Sequence, residues 1–419
     1  MLATPELIRE SAQIHRLARL LPIWRDVPMY QRTLSDPKAA GREGDDPGDF
    51  FRLPFLTKSQ MGQDFPHNFL RPGHALQTLL DVELVELEHT SGTSEERVPL
   101  LLGRGWWKEQ ERRALRLNKF VARVLDENPA ARRATLAAPA CKGDICYSSW
   151  PSPSERTDGT TLFVNLSRFP FLLNEHELAR MAEEIAGWSP RFLDMDPVYG
   201  VRFALYCERL GLHFPSLRFV LCSYEFVSVV HRRILERVFG VPVFNLYGST
   251  ETGHLLMEEE HGDMKSSYET ALLEVIGTDE RGVGELVVTT LTNDYMPLLR
   301  YRIGDLVERR EQPYATTYVV HGRARDALGA TGGRRVTTAQ VDDCFAGLGA
   351  VAHYQLQQAD NGDCRLLFVP DGAGPTAQEL SELKSRLESL LRCPGGVLAA
   401  PTDLLLPEPS GKFRLTCRA

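Results

Sequence analysis

Long apolar runs are missing from this 419-residue chain: no window approaches the roughly 18 consecutive apolar residues that cross a bilayer, so no membrane-spanning role is expected. Cysteine is scarce, with 8 residues, and the closest pair, Cys141 and Cys146, is separated by four residues rather than the two of a zinc knuckle. Such thiols read as reduced, buried and inert. An excess of positive charge is lacking too. With 48 Lys+Arg against 56 Asp+Glu the formal net charge is −8, which disfavours a nucleic-acid partner because duplex affinity is built by neutralising many phosphates. Internal repeats and low-complexity segments are absent, which excludes solenoid and fibrous architectures. At the amino terminus, Glu6, Arg9 and Glu10 interrupt the apolar stretch a signal peptide would need. The segment reads instead as a capped amphipathic helix, Thr4 as N-cap and Pro5 at the first helical position, in a cytoplasmic protein.

What is present is an ordinary globular mixture, 43% hydrophobic and 25% charged, in a chain long enough to divide. Single cores stop growing near 250–300 residues, so a large domain and a smaller one are expected. The clearest unit runs from FVLC (219–222) through the helix SVVHRRILERVFG to the strand VPVFNL (241–246). Ile234, Leu235, Val238 and Phe239 give that helix an apolar stripe and Gly240 supplies a left-handed cap, so a strand-helix-strand unit and a parallel sheet are predicted. ALLEVI (271–276) and GELVVTTL (284–291) predict an antiparallel pair, which makes the fold class mixed α/β. After GRARDALGATGGRR the character changes to two strands, AHYQLQQ (352–358) and CRLLFVP (364–370), and a helix begun by the capping-box pair Thr376 and Glu379. The boundary is placed near residue 326, giving domains 1–325 and 326–419. RGWWKEQERRALRLNKFVARVL (104–125) reads as one amphipathic surface helix with Leu115, Phe120, Val121 and Val124 inward; Glu109 and Glu111 break its positive field and argue against nucleic acid.

LYGSTETGH (246–254) follows a short buried strand, where open α/β sheets bind nucleotides beyond the strands' carboxyl ends. Gly248 lets backbone approach a ligand, Tyr247 offers an aromatic face, Ser249 and Thr250 hydroxyls, and Glu251 a carboxylate for Mg²⁺. Alone, the string is equally a turn rich in small polar residues. PLLRYRIGDL (297–306) puts Asp305 at the end of a strand, where a carboxylate accepts both hydroxyls of a ribose; a turn cap is the plainer reading. HGRARD (321–326) supplies Arg323 and Asp326, and PEPSGKFRL (407–415) sets Lys412 in a Gly-flanked loop; a surface charge and a frayed tail are the plainer readings there.

In this order and spacing the set resembles the adenylate-forming superfamily of acyl-CoA synthetases, nonribosomal adenylation domains and luciferases. LPFLTKSQM (53–61) and TTLTNDYMPLLRYRIGDL (289–306) are most similar to its phenylacetate-CoA ligase branch, and the likeness runs from about residue 50 to 415. The resemblance implies a large N-terminal domain and a small mobile C-terminal one, with ATP and a carboxylic acid bound between them. It implies that Tyr247 packs on adenine, Thr250 contacts the α-phosphate, Glu251 holds Mg²⁺ and Asp305 binds the ribose. Arg323 would assist at ribose and phosphates, Asp326 would be the hinge, and Lys412 the catalytic lysine. HTSGTSEERVP (89–99) resembles the phosphate loop through Thr90, Ser91, Gly92, Thr93 and Ser94, but lacks the second glycine and the lysine and carries Glu95 and Glu96. CSYEF (222–226) stands where the family has a glycine-containing adenine segment, so Tyr224 and Glu225 replace a smaller wall. ACKGDICYSSW (140–150) lies near the substrate motif without matching it, and LLMEEEHGDMKSSYE (255–269) has His261 but no cysteine, so no structural zinc is expected.

The reaction implied is ATP-dependent activation of an acid, aromatic by branch resemblance, as an acyl-adenylate, then transfer to a thiol, coenzyme A or the phosphopantetheine of an acyl carrier protein. Amide formation is the neighbouring alternative, a non-catalytic nucleotide-binding homologue the alternative of another class, and a homodimer stays open.

Overall fold

A computed structural model describes residues 5–35, 47–90, 97–138, 151–167, 169–259, 262–312, 315–330, 332–393, 396–408 and 411–418. Contacts group the chain into two units, each made of two stretches: Met1–Asn118 with Tyr247–Val320, and Lys119–Leu246 with His321–Ala419. Among the described residues no helix is long and apolar enough to cross a membrane.

The first unit is built on antiparallel strands in the order Ala271–Ile276, Val283–Thr290, Tyr301–Gln312, Ala315–Arg323, Met264–Ser266 and Gly253–Glu258. The expected pair is present, Ala271 opposite Thr290 through to Ile276 opposite Glu285. Its core gathers Trp24, Val27, Met61, Leu101, Leu286, Val288 and Tyr301. The helix Pro5–Trp24 starts at the expected proline. Asp305 differs from expectation. It lies inside the long Tyr301–Gln312 strand rather than at its end, where the register with the neighbouring strand jumps from Leu306 opposite Glu285 to Arg302 opposite Val287. Gly304, at φ +84°, turns the backbone within this bulge, which is how a mid-strand carboxylate is re-aimed.

The second unit has a parallel sheet in the order Val243–Ser249, Phe219–Cys222, Phe192–Met195, Arg133–Leu136 and Thr161–Phe163, with Thr157–Asp158 antiparallel at the edge. Val220 to Cys222 run parallel to Val243 to Asn245, joined by the Val229–Phe239 helix, which is the predicted strand-helix-strand unit. That helix is capped by the Ser228 hydroxyl, which accepts from the Val230 N–H, and by Gly240 at φ +65°. A further sheet orders Val397–Pro401, Cys364–Pro370, Val351–Gln358 and Thr416–Arg418. Both arms of the Thr376/Glu379 capping box form, and Leu383, Leu387 and Leu391 of the Ala377–Leu391 helix are buried. Asp342 ties parts of this unit together, its carboxylate accepting from the Ser228 and Tyr354 hydroxyls and the Val229 N–H.

The 104–125 segment is two helices, Trp106–Leu115 and Lys119–Glu127, not one. Periodicity carries through the gap, but Asn118 is 1% exposed and its amide donates to the Glu258 carbonyl. A buried polar side chain that must reach a partner outranks the helical ladder there. Leu115, Val121 and Val124 are buried as expected, and Phe120 is half-buried.

Candidate functional site

In the first unit the chemistry clusters around LYGSTETGH. The Tyr247 hydroxyl donates to Asp305 Oδ2 at 2.6 Å, and Asp305 is 5% exposed. A Cβ added at Gly248 would lie 2.3 Å from the Gly253 carbonyl oxygen and 2.8 Å from His254 Cα, so close approach of backbone to backbone already demands glycine there. The Ser249 hydroxyl turns inward to Thr252, 3.0 Å between hydroxyls, and accepts the Thr252 N–H at 3.3 Å. Thr250 is half-buried at the turn. Glu251 accepts from the Tyr301 hydroxyl at 3.3 Å and faces Lys58 Nζ at 3.4 Å. Lys58 arrives there because the LPFLTK segment docks along the Tyr301 strand: the Leu56 N–H donates to the Arg300 carbonyl at 3.1 Å and the Arg302 N–H to the Leu56 carbonyl at 2.9 Å. Thr90 is buried and closes the base of the loop 89–99, exchanging bonds with Val98 through its N–H and its hydroxyl. Ser91, Gly92, Thr93, Ser94, Glu95 and Glu96 lie outside the described residues, as do Cys141, Cys146 and His261.

The second unit holds the other group. Asp194, in the Phe192–Met195 strand, accepts from the Ser223 hydroxyl at 2.8 Å and the Tyr224 hydroxyl at 3.2 Å, and pairs with Arg133 at 3.8 Å. Tyr224 sits at φ +76°, a left-handed conformation that suits glycine and that bulky residues adopt only where the surroundings hold them. Asp196 caps the Pro197–Leu210 helix. Burial pushes its carboxyl up to about 7 against the pull of Lys412. Glu225 is lifted well above the usual carboxylate range, by burial first and the Asp196 charge second, while the Phe413 N–H donated to it at 2.6 Å and Lys412 pull it back. Asp326 is buried and bound by Arg414 at 2.6 Å and Arg325 at 3.5 Å; burial raises its carboxyl and the two guanidiniums oppose. Arg323 ends the Ala315–Arg323 strand, immediately before the turn Ala324–Asp326.

No protein-family profile matches the chain. It is 26% identical over 377 residues to phenylacetate-coenzyme A ligase of Thermus thermophilus, the match covering 83% of this chain and 77% of that protein. A shorter match, 33% over 84 residues, links it to Protein CapK of Staphylococcus aureus and spans 20% of this chain and 18% of that one. Among solved structures, 2-hydroxyisobutyryl-CoA ligase in the postadenylation state superposes with a TM-score of 0.68 at 16% identity, over 95% of this chain and 88% of that one. The chain has the adenylate-forming fold. Anthranilate CoA ligase AuaEII, in complex with anthranoyl-AMP, shares it at a TM-score of 0.54 and 13% identity, over 80% of this chain and 66% of that one.

With the adenylate-forming fold in place, the sequence-predicted residues fall into two groups. Tyr247, Glu251 and Asp305 come together in the first unit, and Tyr224, Glu225, Asp326 and Lys412 all belong to the second. Three residues escaped the sequence reading. Lys58 carries no local signal, since its meeting with Glu251 depends on a strand-like pairing between segments far apart in the chain. Asp194 and Asp196 were legible in principle: FLDMDP places one acid at a strand's end and the other immediately before a helix-starting proline.

Proposed function

We propose that the protein activates a carboxylic acid with ATP as an acyl-adenylate and transfers the acyl group to a thiol, with coenzyme A the preferred acceptor and an aromatic acid the preferred substrate. The observation that carries this reading is the Tyr247–Asp305 bond beside Glu251: a 2.6 Å tyrosine–carboxylate pair on the turn after a sheet strand, next to an acidic side chain. A carboxylate at Asp305 suits ribose hydroxyls, the Tyr247 ring suits adenine, and Thr250 suits the α-phosphate. Similarity to phenylacetate-coenzyme A ligase supports the thiol and the aromatic acid. The acyl-AMP complexes of the structural neighbours support the intermediate.

In the first half-reaction a carboxylate oxygen of the acid bonds to the α-phosphorus and the bond to pyrophosphate breaks. Negative charge grows on the non-bridging oxygens, and Lys412 is the cation assigned to it. In the second, thiolate sulfur bonds to the acyl carbon and AMP leaves with the carboxyl oxygen. Mg²⁺ binds proteins through one or two carboxylates and completes its shell with water and phosphate, so a single carboxylate, Glu251, fits it. Held there beside ATP, such an ion would supply neutralisation of phosphate charge. Residues 326–419 form the small module in this proposal and 1–325 the large one, with Asp326 the hinge and Arg323 beside it reaching ribose and phosphates. Thr90, Ser91, Gly92 and Thr93 cradle the outer phosphates, and Tyr224 walls the adenine.

Acid-dependent exchange of labelled pyrophosphate into ATP tests the first half-reaction across aromatic and aliphatic acids. Exchange with an aromatic acid is expected. A folded protein that binds ATP and exchanges with none of them removes the proposal. Thioester formation with coenzyme A against a phosphopantetheinylated carrier then identifies the acceptor.

A further inference from the structure

We propose that Glu225 is a positioning residue for Lys412: its half-buried carboxyl group, with the aromatic bed under Phe413, clamps the lysine's loop for adenylate formation. The proposal rests on the ligase reading and assigns Glu225 a task other than lining the adenine.

The loop is fixed before the lysine, where the Gly411 N–H donates to the Glu408 carbonyl at 2.8 Å, and at both ends of the peptide that follows it. The Lys412 carbonyl accepts the Glu408 N–H at 2.8 Å, and the next residue donates its N–H to Glu225 Oε1 at 2.6 Å. A bond this short pins the Phe413 amide on the Glu225 carboxyl oxygen. Phe413 is 9% exposed, packing edge-on against His353 at 5.4 Å and Phe171 at 5.7 Å, with Val198 and Leu405 in the same cluster. His353 is in turn held by His231, 2.9 Å between ring nitrogens. One residue further, Arg414 grips Asp326 at 2.6 Å and Glu408 at 3.4 Å. The grips named here fall on main chain or on the neighbours of Lys412, which fixes its Cα. Glu225 joins that scheme from the segment directly after the Phe219–Cys222 strand, so the carboxyl end of the parallel sheet sets where the ammonium begins its reach.

Positioning and adenine-wall roles predict different kinetics. Loss of a positioning contact lowers the rate of a step and spares ground-state binding, whereas loss of a binding wall raises KM. Glu225→Ala removes the acceptor; Glu225→Gln keeps an amide oxygen for the Phe413 N–H. Hydrogen exchange of peptides spanning 411–415 reads the clamp without any catalysis. In Glu225→Ala the Phe413 amide is expected to exchange about tenfold faster or more, and adenylate formation to fall about 10- to 100-fold from mispositioning. KM for ATP stays within about twofold, as does thiol transfer from supplied acyl-adenylate, and Glu225→Gln recovers most of the lost rate. Phe413→Ala, which keeps Glu225 and strips the ring, is expected to give the same pattern and guards against a folding defect in the first variant. An unchanged Phe413 amide in Glu225→Ala overturns the clamp, and so does a raised KM for ATP at constant kcat. If the amide is protected as described but no acid supports pyrophosphate exchange in the unaltered protein, the ligase reading fails and the clamp stands as structure alone.

Discussion

Tyr247 and Asp305 hold each other at 2.6 Å, and under the proposed function a nucleotide takes that bond over to seat its ribose. Asp305→Ala is therefore expected to weaken ATP binding by about tenfold or more, the scale of a hydrogen bond to a charged group. Titration calorimetry reads it, and an unchanged affinity would release Asp305 from nucleotide contact. Lys412 is expected to behave otherwise. Lys412→Ala should lower adenylate formation by about 100-fold or more, by loss of a cation that acts on transition-state charge, while ATP affinity falls little. Equal losses in both would make Lys412 a binding residue. At this scale the placing of residues was readable where they are contiguous, as in YGSTE, whose Tyr247 and Glu251 stand against the Tyr301–Gln312 strand. It was unreadable at Lys58, whose meeting with Glu251 exists only after Leu56 pairs with the Tyr301 strand.

Elements followed the sequence where one local force decides them. The Thr376/Glu379 box, the Gly240 cap and the antiparallel 271–290 pair all rest on neighbours in the chain. They departed from it where a distant partner intervenes, at Asn118 breaking a helix and at the bulge beneath Asp305. The joint between the Val229–Phe239 helix and the Val351–Gln358 strand carries a pH signature. His231 and His353 are fully buried; burial and the Arg233 charge lower His231 to about 3, and burial with the His231 charge takes His353 well below its ordinary range. An unfolded histidine takes its proton near pH 6.5, so below that the unfolded chain binds protons the native pair refuses and stability falls with pH. Asp196, raised to about 7, and Asp342, raised to about 6, act in the opposite sense, keeping protons natively that the unfolded chain gives up above pH 4 or so. A comparison with His353→Phe cancels those acids. Between pH 6.5 and 5 the unaltered protein is expected to lose about 1 kcal/mol per pH unit relative to the variant, from the one histidine removed. Urea midpoints across that range measure it, and parallel curves would mean the imidazole is not held neutral.

For the molecule as a whole, both units are stitched from separated stretches of chain, which periodicity and motif order do not reveal: the sequence points to a boundary near 326, and residues 321–419 share contacts with 119–246. The fold class was legible because strand and helix signals are local. The interleaving was not, since it is decided by which buried faces meet after the elements form. Ligand linkage supplies a test at this scale. ATP at 100 times its dissociation constant is expected to add about 2.7 kcal/mol, and with it several degrees in Tm, provided the native state alone binds it. Guanosine triphosphate raising Tm equally would show that no adenine-selective surface has formed. The strand Thr416–Arg418, parallel to Leu356–Gln358, carries its own consequence. Its partner strand precedes the Ala377–Leu391 helix, so this edge closes only through a non-local pairing, and the Leu356 N–H donated to the Leu415 carbonyl hangs the 411–415 loop from it. A substitution that unpairs this edge would therefore slacken the loop around Lys412 without touching that side chain.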